Sequence, residues 1–153
     1  MTYTAFISYN TSPDEQAVVY RLQTLAGASD IVVLLPKRDG RTLSAETKIR
    51  IDKSDCVIVF LTSRIGADVR EELAYADGRG KLIIPIYEKG VRLPADVRDF
   101  DWIEYDPRRQ TPGEIEQKVL ELLNVKKKAV SDRNALLLTV LGIGLLALIA
   151  SKK

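Results

Sequence analysis

The chain has 153 residues, a length that suggests one domain with something small attached. Its 46% hydrophobic and 29% charged residues are a globular balance, and a formal net charge of +2 is too small to argue for a nucleic-acid partner. The sequence contains no histidine, which excludes a Ser-His or Cys-His nucleophile pair, a histidine general base and a histidine metal site. The one cysteine, Cys56, sits in the apolar run CVIVFL and reads as a small buried hydrophobe. It has no partner for an intrachain disulfide, which fits a reducing compartment.

The start MTYTAFISYN lacks the basic and long apolar regions of a signal peptide. Beyond it, short apolar runs alternate with amphipathic stretches. YTAFISY, residues 3–9, predicts a first strand. SPDEQAVVYRLQTLAGA predicts a helix with Ser12 as N-cap, Pro13 at the first helical position and Glu15 three residues after the cap. Val18, Leu22 and Leu25 supply its expected buried stripe, and Gly27 closes it. DIVVLLP, residues 30–36, predicts a second strand, buried on both faces because its apolar residues run without a break. KRDGRT is a polar loop, and LSAETKIRIDKS predicts a second helix capped by Ser44.

DCVIVFLTS predicts a third buried strand, and residues 67–79 a third helix ended near Gly78 and Gly80. KLIIPIYE predicts a fourth strand, in which Pro85 implies an end or an edge position. VRLPADVRDF is irregular, DWIEY is a short fifth strand, and TPGEIEQKVLELLNV is a last soluble helix with Thr111 as cap and Pro112 at its first position. Five alternations of strand and helix predict an α/β fold: an open five-stranded parallel sheet with helices on both faces. Ligands bind such sheets beyond the carboxyl ends of the strands. Those ends are SYNTS, PKRDGRT, LTSRIG and YEKG, all polar.

After residues 1–124 comes a basic stretch, 125–134, holding Lys126, Lys127, Lys128 and Arg133. The run ALLLTVLGIGLLALIA, residues 135–150, has no charge, and residues 151–153 form a basic tail. At roughly 1.5 Å per residue the run spans about 24 Å, against a hydrocarbon core of about 30 Å. It is apolar on every face, which predicts a C-terminal membrane helix more readily than a buried core helix. Flanking lysines can snorkel to meet a slightly thicker bilayer. The basic stretch would then keep the domain on the cytoplasmic side of a single-pass anchor.

Two adjacent glutamates lie in the third helix. On a helical wheel Val69, Leu73 and Ala76 form the stripe that faces the sheet. Glu71 falls nearly opposite and should be solvated; Glu72 falls beside the stripe, on the flank shared with Asp68 and Tyr75. Periodicity predicts a half-buried, rigidly placed carboxylate at Glu72, which by itself reads as a helix-surface acid rather than a catalytic one.

The segments FISYN (6–10), IDKSDCVIVFLTS (51–63) and DVREELAYADGRGKLIIPIYE (68–88) resemble, in that order and spacing, the signatures of the TIR (Toll/interleukin-1 receptor homology) family over about residues 3 to 123. The resemblance implies a flavodoxin-like fold. It also implies an activity found in many bacterial and plant members, cleavage of the nicotinamide–ribose bond of NAD+, with a hydrolysed or cyclised product. In that family the glutamate closing a Trp-x-x-x-Glu motif is catalytic, and it matches Glu72; Asp68 stands at the tryptophan position. By the same resemblance Phe6, Ser8 and Asn10 line the pocket, and Ser63 and Asp68 belong to the substrate-binding set. Arg38 and Arg41 either meet the pyrophosphate or are simply solvated. The GRTL at 40–43 looks like the family's Gly-x-x-Leu, but the usual preceding proline-glycine pair is missing.

Nicotinamide leaves as a neutral molecule, so one positioned carboxylate suffices and no metal or cofactor is implied, NAD+ being the substrate. The partners implied are NAD+, further copies of the same domain, and the membrane, with no nucleic acid. The setting implied is immune or anti-phage signalling, with self-assembly as the activating event. The alternative is a non-enzymatic TIR–TIR adaptor held at the membrane, for which Asp68 is the best sequence argument.

Overall fold

The computed structural model describes residues 2–40, 43–62, 65–90, 103–106, 108 and 113–141. In chain order the elements are β1 (Tyr3–Ser8), α1 (Pro13–Ala26), β2 (Ile31–Leu34), α2 (Ala45–Lys53), β3 (Cys56–Leu61), α3 (Ala67–Gly78), β4 (Leu82–Glu88), β5 (Ile103–Tyr105) and α4 (Glu114–Leu141). The expected irregular segment 91–100 and the Thr111–Pro112 cap fall outside the described residues.

The strands form one parallel sheet in the order β2-β1-β3-β4-β5. This is the doubly wound, flavodoxin-like arrangement. Side chains alternate across each strand and divide the core in two. Tyr3, Ala5 and Ile7 of β1 and Cys56, Ile58 and Phe60 of β3 meet α1 and α4 on one face. Phe6 of β1 and Val57, Val59 and Leu61 of β3 meet α2 and α3 on the other. All six β3 residues are buried, as their continuous apolar run requires.

The caps form as expected. Ser12 accepts from the Glu15 amide at the start of α1, and Ser44 accepts from the Thr47 amide at the start of α2. Three expectations need correction. Leu25 is exposed, because α1 turns Val18, Val19, Leu22 and Ala26 inward instead. The second strand is not buried on both faces: β2 is an edge strand, and Val32 is 45% exposed. Pro85 lies inside an interior strand, paired with Val59 and one residue before Ile86, where the described pairing with β5 starts.

The final helix does not stop near Val125. It runs without glycine or proline through residues 125–134 to Leu141. Val130 packs against the core with Ile115, Val119 and Leu123, and Lys127 Nζ donates to the Ser29 carbonyl at 2.6 Å. The basic stretch expected as a linker is thus helical and docked over its first half. Among the described residues no helix is long and apolar enough to cross a membrane, and residues 142–150 of the apolar run lie outside them.

Candidate functional site

The chain leaves β1 for β2 on one side and returns to β3 on the other, so a crevice opens beyond the carboxyl ends of β1 and β3. Ser8 is the last residue of β1. Two positions after Phe6, it faces α2 and α3. On α3 the buried positions are Val69, Glu72 and Ala76. Glu72 therefore sits on the central stripe and not beside it, while Leu73 is only half-buried. Glu71 is also half-buried, contrary to the expected solvation, and its Oε2 is enclosed without a hydrogen-bond partner among the described residues.

Glu72 is 2% exposed, yet it is fully engaged. Ser8 Oγ donates to Oε1 at 2.6 Å. Arg38, from the loop after β2, donates from Nη2 to Oε1 at 2.8 Å and from Nε to Oε2 at 3.2 Å. This is a two-pronged, charge-assisted pair. Asp68 Oδ2 lies 3.7 Å from Arg38 Nε, and the guanidinium carbon sits 5.4 Å from the centre of the Tyr9 ring. One turn of α3 thus places two carboxylates, Asp68 and Glu72, around one arginine.

A second network adjoins it. Glu15 is buried and accepts from the Asn10 amide at 2.9 Å, Asn10 Nδ2 at 3.1 Å, Ser12 Oγ at 3.0 Å and Thr62 Oγ1 at 3.2 Å. Asn10 Oδ1 in turn accepts from the Gly66 amide at 2.8 Å. Glu15 therefore ties the loop after β1 to the end of β3 and, through Asn10, to the start of α3.

Both networks border a cavity of about 520 Å³, within the range of small-molecule sites. Tyr9, Asn10, Glu15, Arg38, Thr62, Gly66, Asp68, Glu88 and Tyr105 are among its lining residues. Four carboxylates (Asp14, Glu15, Asp68 and Glu88) face one cation, Arg38, among the described lining residues. Burial raises the Tyr105 phenol above its ordinary value, and the Asp14, Glu15 and Glu88 carboxylates raise it further. The Tyr9 phenol is raised too, by burial first and by Tyr20 second. Such a cavity favours a ligand part that carries positive charge.

Of the expected site residues, the fold brings together Ser8, Asn10, Arg38, Asp68 and Glu72. Asn10, Arg38 and Asp68 line the cavity, whereas Ser8 and Glu72 lie beneath Arg38. Phe6 does not line it: it is fully buried against Ile51 and Val57. Arg41 and Ser63 are outside the described residues. Sequence reasoning marked the strand ends that hold Tyr9, Thr62 and Glu88 without singling those residues out, missed Tyr105, and took Glu15 only as a capping residue. Their common signal was position: each lies at or just past a strand's carboxyl end, or in the first turn of the helix that follows.

Over residues 5–120 the sequence matches the model of the family described as TIR domain. The chain belongs to the TIR domain family. Within the TIR domain of this chain, Glu72 and Arg38 are the central pair of the crevice. Its fold is similar to that of the CMP N-glycosidase BcmB of Clostridium botulinum, at 15% identity and a TM-score of 0.53, covering 79% of this chain and 98% of that one. It is also similar to the sugar isomerase domain of the RpiR transcription factor of Sphaerobacter thermophilus, at 18% identity and a TM-score of 0.53, covering 94% of this chain and 79% of that one. No curated protein matches the chain significantly.

Proposed function

We propose that this TIR domain cleaves the N-glycosidic bond of a nucleotide, with NAD+ as substrate and Glu72 as the catalytic carboxylate. The observation that carries the reading is a buried carboxylate held by Ser8 and Arg38 beside an acid-lined cavity at the sheet's switch point. Family membership and a fold shared with a CMP N-glycosidase agree with bond cleavage of this class.

In NAD+ the nicotinamide nitrogen is cationic. As its bond to the ribose C1′ breaks, the electron pair leaves with nicotinamide, which departs neutral. Positive charge then develops at C1′ and the ring oxygen. A carboxylate at Glu72 stabilises it, and the neighbouring acids favour the cationic ring before cleavage. Water adds to C1′ and its proton passes to Glu72 or solvent, which gives ADP-ribose; attack by a group of the same molecule gives a cyclic product instead. Ser8 fixes the rotamer of Glu72, and Asn10 and Glu15 fix the start of α3. Self-association of TIR domains concentrates sites, and a C-terminal membrane segment over residues 135–150 does so in two dimensions, with the domain on the cytoplasmic face. Immune signalling, including anti-phage defence, is the corresponding setting.

The test is nicotinamide release from NAD+ by the full chain in lipid at high surface density, beside Glu72→Gln. Release should fall about 10²- to 10³-fold in the variant. Equal release from both removes Glu72 from the chemistry. A second reading, a non-enzymatic adaptor, rests on the closure of Glu72 beneath Arg38. Absence of release from the folded, assembled wild type would favour it.

A further inference from the structure

We propose that Arg38 couples phosphate binding to the exposure of Glu72, so that the site acts on phosphate-bearing N-glycosides and spares free nucleosides. This deepens the proposed function and rests on Glu72 acting at the glycosidic bond.

Arg38 belongs to two environments. It lines the cavity, while the carboxylate beneath it is 2% exposed. As the fold stands, no substrate atom reaches Glu72 until the guanidinium moves. Moving it into water alone would leave a buried carboxylate without its cation, which is costly. A phosphate in the cavity changes the balance, because its oxygens match the same guanidinium fork. Among the described lining residues Arg38 is the one cation, so an anionic group entering this acid-lined cavity is directed to it.

The consequences for Glu72 are specific. Oε1 keeps the 2.6 Å hydrogen bond from Ser8, so the side chain stays oriented. Oε2, whose partner among the described residues is Arg38 Nε, is set free. Oε2 is therefore the oxygen that meets C1′. Glu72 and Asp68 also lose their shared cation at that moment, which deepens the negative field where positive charge develops. A nucleoside carries no phosphate to draw Arg38 away, and it meets a closed site.

The experiment is a titration of the full chain, followed by the side-chain resonances of Arg38 Nε–H and the Glu72 carboxyl carbon, assigned with Arg38→Lys and Glu72→Gln. Inorganic pyrophosphate and ADP-ribose should move both resonances along one saturation curve, and nicotinamide riboside should move neither. Movement of Arg38 without Glu72, movement of neither by pyrophosphate, or equal movement by the riboside overturns the coupling. In kinetics, wild type should prefer nicotinamide mononucleotide over nicotinamide riboside by about 10- to 100-fold in kcat/KM. Arg38→Gln should collapse that ratio by lowering nucleotide cleavage and raising riboside cleavage; an unchanged ratio counts against the coupling. Paired shifts without any nicotinamide release would uphold the coupling and overturn the proposed function, so the two fail separately.

Discussion

Ser8 Oγ stands 2.6 Å from Glu72 Oε1, and both residues are almost completely buried. A hydroxyl at the end of β1 thus anchors a carboxylate on α3 across 64 residues of chain. Ser8→Ala should destabilise the fold by about 1–3 kcal/mol, because a buried charged acceptor loses a donor. If the anchor also orients Glu72 for cleavage, nicotinamide release falls about tenfold as well. Urea midpoints and release rates on the same preparation check both.

Glu71 and Glu72 should separate cleanly. Glu71 has an enclosed oxygen without a described partner, whereas Glu72 is engaged by Ser8 and Arg38. Glu71→Gln should leave nicotinamide release within about twofold of wild type and leave stability unchanged or slightly raised, since an unpaired acceptor costs free energy. A drop in release equal to that of Glu72→Gln would defeat the assignment of distinct roles.

Glu15 gathers donors from Asn10, Ser12 and Thr62. Glu15→Ala strands them and should cost about 2–3 kcal/mol in thermal or urea unfolding. Glu15→Gln, which keeps an acceptor, should recover part of the loss. Identical unfolding of both variants and wild type would mean that the network adds nothing.

Alkaline pH should weaken the fold. Burial pushes the Cys56 thiol up to about 12, and burial also raises the Tyr3 and Tyr9 phenols. In the unfolded chain a thiol ionises at about pH 8.5. The folded state holds these protons more tightly, so the stabilisation is whole below about pH 8.5 and is lost as pH rises. For the thiol the loss is up to about 1.4 kcal/mol per pH unit. Cys56→Ala should flatten the decline above about pH 9, with the tyrosines leaving a residual slope; urea midpoints across that range measure it.

The tail gives a further expected outcome. With the apolar run of residues 135–150 acting as an anchor, the full chain should float with lipid vesicles, and a chain ended at residue 134 should not. Equal flotation would place the lipid contact elsewhere.

The alternation of apolar runs identified all five strands, because a strand buried between helices has to read as continuous Val, Ile and Leu, as β3 does. It misled at β2, where the same apolar composition sits at an edge with Val32 exposed. Edge or centre is a matter of strand order, which composition does not carry. The last helix runs on past Val125, where it was expected to end, for a related reason. A run of lysines can be a linker or a solvated helix face, and Val130 packing on the core decides for the helix.

Local periodicity put Glu72 nearer the buried side of its helix than Glu71, though not on the central stripe where the fold sets it, and capping chemistry was enough to place Ser12, Ser44 and the starts of α1 and α2. These are properties of a few consecutive residues, and the sequence determined them alone. Only the tertiary structure decided that Arg38, 34 residues away, lies over Glu72 and that Phe6 turns away from the cavity while Ser8 reaches the carboxylate. The physical reason is distance along the chain. Which loop meets which helix depends on the order β2-β1-β3 and on the path of the chain after β2, and no repeat of 2 or 3.6 residues encodes either.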